Sequence, residues 1–81
     1  MKITVQMFGA FRALGNELEL EFAQAVSIKT VRDSLQSRVA GMDLDELLNL
    51  SKFANEREVL RDAYICKPGE HLAILPPVSG G

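Results

Sequence analysis

The last strand-like segment of this 81-residue chain places the strongest constraint on its fold. In the segment His71–Leu75, every residue after His71 is apolar, so both faces of the predicted strand are apolar. This is typical of a strand in the middle of a sheet, with partners on each side. Pro76 and Pro77 follow, and proline cannot donate a ladder hydrogen bond, so the strand is predicted to stop there.

Two other segments near the start of the chain also have strand patterns. Apolar and polar residues alternate over residues 3–7 and again over residues 17–22, which predicts two strands with one face on the core. The glycine-bounded segment Gly9–Gly15 between them has room for one helical turn and makes the pair an antiparallel hairpin. Three glutamates on one face of the second segment predict a solvated edge strand.

An amphipathic helix is predicted over residues 28–40. Ser27 is a suitable N-cap and Gly41 a suitable C-terminal stop. Four apolar residues follow the 3.6-residue period of a helix: Ile28, Val31, Leu35 and Val39. Four charged side chains are predicted to point outward: Lys29, Arg32, Asp33 and Arg38. Residues 42–50 fit either a short second helix or an ordered loop, and the acidic residues there favour a solvated helix start over a metal site.

The remaining segments complete a small α+β fold. Residues 51–59 fit two short strands joined by a turn at Asn55, although a helix is also compatible with them. Residues 61–65 and 67–70 have turn signals. The predicted order is β-β-α-β-β, with a mixed sheet in which the first and last strands are parallel neighbours. That arrangement is the β-grasp, or ubiquitin-like roll, formed by residues 1–77 and followed by a flexible tail of residues 78–81.

Composition excludes several classes of function. Nine basic and eleven acidic residues give a net charge of −2, without the basic surface that nucleic-acid binding needs. No apolar run approaches the roughly 18 residues of a membrane span, and the start lacks the apolar segment of a signal peptide. The single cysteine, Cys66, excludes an internal disulfide, so we expect a cytoplasmic protein without membrane contact. The sequence contains neither of two common phosphate-binding glycine motifs, G-x-x-x-x-G-K-[ST] and G-x-G-x-x-G. No bound cofactor or metal is expected.

The last six residues, P-P-V-S-G-G, form an uncharged ending whose only charge is the terminal carboxylate. Residues 78–81 can extend up to roughly 13 Å beyond the prolines. Two glycines without Cβ atoms can thread a channel too narrow for other residues. The alternative is an ordinary frayed terminus.

These residues resemble a known family, the small subunits of molybdopterin synthase. The resemblance is carried by P-P-V-S-G-G after G-E-H-L-A-I-L, and by F-G-A-F-R-A-L-G from Phe8 to Gly15. Ser27-Ile28 at the helix start and Phe53-Ala54-Asn55 in the third strand also fit. The chain departs from the family at Ile74 and Leu75, where aromatic residues are frequent.

The resemblance implies a sulfur carrier without catalytic side chains of its own. A partner resembling the ubiquitin-activating adenylyltransferases would use ATP to adenylate the Gly81 carboxylate, which a sulfur donor then converts to a thiocarboxylate. The large catalytic subunit of molybdopterin synthase, in a heterotetramer with this chain, would pass that sulfur to a pterin precursor. The residues expected to bind partners then lie on the sheet face that points away from the helix and in the tail: Phe8, Leu75, Pro76, Pro77, Val78, Ser79 and Gly80.

Other functions share the same tail chemistry. The chain is also compatible with a sulfur carrier for thiamin or another pathway, and with a ubiquitin-like modifier joined through Gly81 to a lysine. An interaction module with an inert tail is a further alternative. Cys66, beside Lys67, is a rival sulfur carrier, but a lone cysteine near a strand is more often a passive small residue. His71 lacks a partner in the sequence and is predicted to be a surface residue.

Overall fold

The computed structural model describes residues 1–77, so residues 78–81 of the predicted tail lie outside it. Five strands form one mixed sheet in the order β2-β1-β5-β3-β4. The strands are β1 (Lys2–Gln6), β2 (Glu17–Glu21), β3 (Lys52–Ala54), β4 (Val59–Leu60) and β5 (His71–Leu75). The helices are a 3-10 helix (Gly9–Leu14), α1 (Ile28–Arg38) and α2 (Asp45–Leu50).

The first and last strands pair in the middle of the sheet, as the sequence predicted. β1 and β5 are parallel, with Thr4 opposite His71 and Gln6 opposite Ala73. β2 lies antiparallel on the other side of β1, and β3 lies antiparallel on the other side of β5. The two-residue strand β4 pairs with β3 at the far edge. The predicted α+β class and β-grasp topology are therefore confirmed.

The core is built from the inward faces of the sheet and the apolar stripe of α1. The 3-10 helix and α2 each add one fully buried side chain, Phe11 and Leu48. Sheet and helix α1 contribute most of the other buried apolar residues: Ile3, Val5, Met7, Leu20, Ile28, Val31, Leu35, Phe53, Leu72 and Ile74. Burial of one such side chain stabilises the fold by about 1.5–3 kcal/mol. Because alternate residues of β1 and β5 enter this core, their other face is left on the open side of the sheet.

Local hydrogen bonds fix the helix start and the turns. The Ser27 hydroxyl accepts from the Thr30 N–H at 3.2 Å, which confirms the predicted N-cap. Helix α1 ends at Arg38, two residues earlier than predicted, because Gly41 with φ +80° belongs to the turn beyond it. The Asn55 side-chain oxygen accepts from the Arg57 and Glu58 N–H groups, both at 2.9 Å. This turn joins β3 to β4 and decides against a helix over residues 51–59.

The predicted outward orientation of Arg32 is wrong. Its guanidinium donates to the backbone carbonyls of Leu48 and Ser51, both at 2.8 Å. It also donates to the Asp62 carboxylate at 2.9 Å, and its Cζ lies 5.1 Å from the centre of the Phe53 ring. Only 13% of its side chain is exposed. Arg32 therefore ties α1 to the end of α2 and to the segment that follows β4.

Among residues 1–77, no helix is both long enough and apolar enough to cross a membrane.

Candidate functional site

The candidate site lies where the central strand ends and the tail begins. Because β1 and β5 are parallel, both reach their carboxyl ends at the same edge of the sheet. Gln6 is level with Ala73, so two residues further along, Phe8 and Leu75 arrive at that edge together. β5 stops at Leu75, as the following prolines predicted. The topology thus brings three predicted binding residues, Phe8, Leu75 and Pro76, to one edge.

Phe8 and Leu75 belong to the face of the sheet that α1 leaves uncovered. Met7 and Ile74, their neighbours in the chain, are fully buried in the core, and the backbone at Phe8 is extended. Alternation along a strand therefore turns Phe8 and Leu75 to the open face. Phe8 is half-buried and Leu75 is 37% exposed. Two apolar side chains are thus available for contact, whereas their role in partner binding stays a prediction.

The rest of the open face is mostly polar. A shallow depression of about 400 Å³ lies on it, with Thr4, Gln6, Glu17, Ala54, His71 and Ala73 among its lining residues. Interfaces between proteins commonly combine a small apolar centre with a polar rim. On this face the apolar pair of Phe8 and Leu75 lies at the edge from which the tail continues, and the polar residues lie to one side of it.

A close approach between Gly9 and Pro76 defines the base of the tail. Gly9 has φ +59°, a left-handed conformation that favours glycine. A Cβ atom at this position would lie 3.0 Å from Cγ of Pro76, closer than ordinary van der Waals contact. Pro76 and Pro77 are themselves half-buried. The glycine-bounded loop was predicted from the sequence, but this contact was not. Its only signal in the sequence is a glycine shortly after the first strand, which was predicted to lie beside the strand that ends at the prolines.

Cys66 is unsuited to carry sulfur in the folded protein. Its side chain is 1% exposed, and its backbone N–H donates to the Val26 carbonyl at 2.8 Å. Burial, reinforced by the negative charge of Glu70, raises the pKa of its thiol to about 11. Because the thiolate is the nucleophile, burial and a raised pKa both make a thiol less reactive at neutral pH. His71, in contrast, is exposed on β5, as predicted.

The predicted reactive residue Gly81 and the predicted contact residues Val78, Ser79 and Gly80 lie outside the described part of the chain. Their roles stay predictions. Within residues 1–77, no three side chains of histidine, cysteine, aspartate or glutamate come together as a metal site would require. The described part of the site is therefore the edge formed by Phe8, Gly9 and residues 75–77.

A mixed five-stranded sheet with parallel first and last strands, packed on one main helix, defines a ubiquitin-like β-grasp protein. Within that class, comparison of the sequence with known families gives a match over residues 5–81. The chain belongs to the ThiS family and is a sulfur carrier of the ThiS type. In the comparison with curated protein sequences, no sequence matches this chain.

Solved structures share the fold at low sequence identity. SAMP1 from Haloferax volcanii is 18% identical with a TM-score of 0.75, and the match covers 100% of both chains. A putative molybdopterin converting factor, subunit 1, from Pyrococcus furiosus is 20% identical with a TM-score of 0.76, over 95% of this chain and 98% of that one. A complex of subunits 1 and 2 of molybdopterin-converting factor from Helicobacter pylori 26695 matches with 24% identity and a TM-score of 0.69, over 100% of both chains. At these identities the likeness shows the fold alone.

Proposed function

We propose that this ThiS-type sulfur carrier is the small subunit of a molybdopterin synthase. The observation that carries the proposal is the central strand β5, which stops at Leu75 beside Phe8 and is followed by Pro76-Pro77, four residues before Gly81. That arrangement gives a short uncharged tail a rigid point of departure. The names of two structural neighbours, molybdopterin converting factor subunit 1 and the complex of subunits 1 and 2, favour this pathway over thiamin synthesis.

The proposed chemistry takes place on the Gly81 carboxylate. A carboxylate oxygen attacks the α-phosphorus of ATP, pyrophosphate leaves, and an acyl-adenylate forms. Hydrosulfide then attacks the acyl carbon, AMP leaves, and the thiocarboxylate remains once the sulfur-bound proton is lost. The thiocarboxylate sulfur then bonds to a carbon of the pterin precursor and displaces an oxygen substituent there, and water cleaves the acyl–sulfur bond, which leaves the sulfur on the precursor and restores the carboxylate. The chain contributes reach and positioning, since its one thiol is buried and protonated.

Two partners are proposed. A ubiquitin-activating-like adenylyltransferase would bind ATP, for which this sequence has no phosphate-binding loop. The large catalytic subunit would receive the tail and form a heterotetramer with this chain. For both, the open face beside Phe8 and Leu75 is the proposed docking surface, and Pro76 to Gly80 would enter the partner's channel. We place these steps in the cytoplasm, where a free thiol such as that of Cys66 is kept reduced.

The test is conversion of the purified chain by an activating enzyme, ATP and a sulfur donor, followed by intact-mass measurement. The wild type is expected to gain the mass difference between one sulfur and one oxygen atom, and the same spectrum checks that Gly81 is the terminal residue. Conversion must then support formation of the molybdenum-binding dithiolene with the large subunit. A thiocarboxylate that supports thiamin synthesis instead, or a lysine-linked adduct, would favour the alternative carrier or modifier function.

Three tail variants test the geometry of the proposal. Deletion of Gly81 shortens the reach by about 3.3 Å, and errors of even 1 Å can cost about a hundredfold in rate. An alanine added after Gly81 moves the carboxylate too deep, and Gly80→Leu blocks threading through a narrow channel. All three should unfold like the wild type, because the core described within residues 1–77 is unchanged in each of them. Wild-type conversion of the alanine-extended variant would refute the mechanism.

A further inference from the structure

We propose that Gly9 is a positioning residue for the tail. Because Gly9 has no side chain, the ring of Pro76 lies against the turn that follows β1, and this contact sets the direction in which the tail leaves the domain. The inference rests on the proposed function, in which Gly81 must reach a partner's active site. It assigns to a loop glycine a part in acyl transfer that neither family membership nor the tail sequence indicates.

The contact is rigid on both of its sides. Pro76 directly follows the central strand β5, and its ring fixes φ, so its Cγ has only the small freedom of ring pucker and not the range of a flexible side chain. The turn carrying Gly9 is held by Met7, whose N–H donates to the Asn16 carbonyl at 2.8 Å, and by the buried Phe11, whose N–H donates to the Phe8 carbonyl at 3.2 Å. We expect a Cβ placed 3.0 Å from Cγ to shift the proline ring, since the anchored turn resists movement.

When the tail is extended in a partner's channel, as proposed, a small displacement at Pro76 is amplified along it. Five residues follow Pro76, and five extended residues span at most roughly 17 Å. A tilt of about 10° at the base of such a segment moves its end by about 3 Å. Misplacements of about 1 Å can already cost a hundredfold in rate. Because the terminal glycines absorb part of the error, we expect Gly9→Ala to lower the rate of tail adenylation at least about tenfold.

The chain contains a matched control for backbone strain. All four glycines within residues 1–77 have positive φ, so alanine is strained at each of them. Only at Gly9 would the added Cβ meet the base of the tail, whereas at Gly41, with φ +80°, it meets nothing within 4 Å. Gly41→Ala therefore reproduces the strain without the contact, and any difference between the two variants reports the approach to Pro76.

The first experiment measures steady-state kinetics of adenylation by the activating enzyme, with each full-length variant as substrate. Gly9→Ala should lower kcat at least about tenfold while KM changes less than about twofold, since the docking face is intact and only the seating of the tail is altered. Gly41→Ala should match the wild type. In a Pro76→Ala background, which removes Cγ, Gly9→Ala should have less than about a threefold effect. A Gly9→Ala variant with wild-type kcat, or an undiminished loss in that background, overturns the inference.

The second experiment measures tail direction without any enzyme, so it decides the inference even if the proposed function fails. A nitroxide is attached to Ser79→Cys in a Cys66→Ala background, because Cys66 is the single native cysteine and its removal leaves one labelling site. Paramagnetic broadening of backbone amides then maps the tail. In Gly9→Ala, the nitroxide should broaden a set of sheet amides different from the set that it broadens in the wild type and in Gly41→Ala. Identical maps for the three proteins overturn the inference. Altered maps with a wild type that is never adenylated would refute the proposed function alone.

Discussion

Replacement of Arg32 by alanine should cost far more stability than its place on the polar side of α1 implies. The side chain makes two 2.8 Å hydrogen bonds to backbone carbonyls, and hydrogen bonds from a charged donor contribute about 1.5–3 kcal/mol each. The pair with the exposed Asp62 adds at most about 1 kcal/mol, and the contact with the Phe53 ring about 0.5–1 kcal/mol. Ordering an arginine side chain offsets about 2 kcal/mol of this total. We therefore expect Arg32→Ala to lower the free energy of unfolding by about 3 kcal/mol.

Urea unfolding followed by circular dichroism measures this loss directly. Domains of this size are stable by roughly 4–12 kcal/mol, so the variant remains folded enough for comparison. Lys29→Ala is the matched control on the same helix: Lys29 pairs with Asp33 at 3.0 Å, but both side chains are more than half exposed, and the pair contributes about 0.3–0.5 kcal/mol. Arg32→Lys keeps the charge but loses the planar fork and should fall between the two. Equal decreases in the free energy of unfolding for Arg32→Ala and Lys29→Ala would refute the conclusion that the buried Arg32 side chain stabilises the packing of α1 on its neighbours.

Two further predictions concern binding and pH. Leu75→Glu should weaken binding of the large subunit by about 2 kcal/mol or more, measured by calorimetry. The free energy of unfolding should change little, because Leu75 is 37% exposed. Val59→Glu, on edge strand β4 and 57% exposed, is the control, and a Leu75→Glu variant that fails to fold would place Leu75 in the core. Because the pKa of the Cys66 thiol is raised, the folded state binds the thiol proton more tightly than the unfolded state does. The contribution of this proton to stability is fully present below about pH 9 and is lost toward pH 11. The free energy of unfolding of wild type should thus fall relative to Cys66→Ala over that window, and parallel pH profiles would contradict the burial of the thiol.

Local patterns predicted the elements of the fold well. The position of β5 in the centre of the sheet follows from apolar residues on both of its faces, and its end follows from the missing N–H of Pro76. The Ser27 cap and the Asn55 turn are also local, since each is made by hydrogen bonds spanning three residues or fewer. Short-range chemistry of this kind is fully present in the sequence.

The features that the sequence did not predict depend on residues far apart in the chain. Helical periodicity places Arg32 on the polar side of α1, and only the packed positions of α2, β3 and the segment after β4 supply its four contacts. Likewise, the approach of Gly9 to Pro76 exists only because β1 and β5 are neighbours in the sheet. The glycine itself was visible in the sequence, but the residue it accommodates was not.

The pairing of β1 with β5 has a consequence for how the protein is made. Thr4 lies opposite His71, so nearly the whole described chain must be synthesised before the central strands can meet. Closing so long a loop is costly in entropy and slows folding, and a chain still attached to the ribosome cannot complete the sheet until its last strand has emerged. A prematurely terminated product lacks β5 and cannot close the domain. The surface that partners are proposed to recognise therefore forms only in chains whose translation has passed the end of that strand, so partners would not bind chains terminated before it.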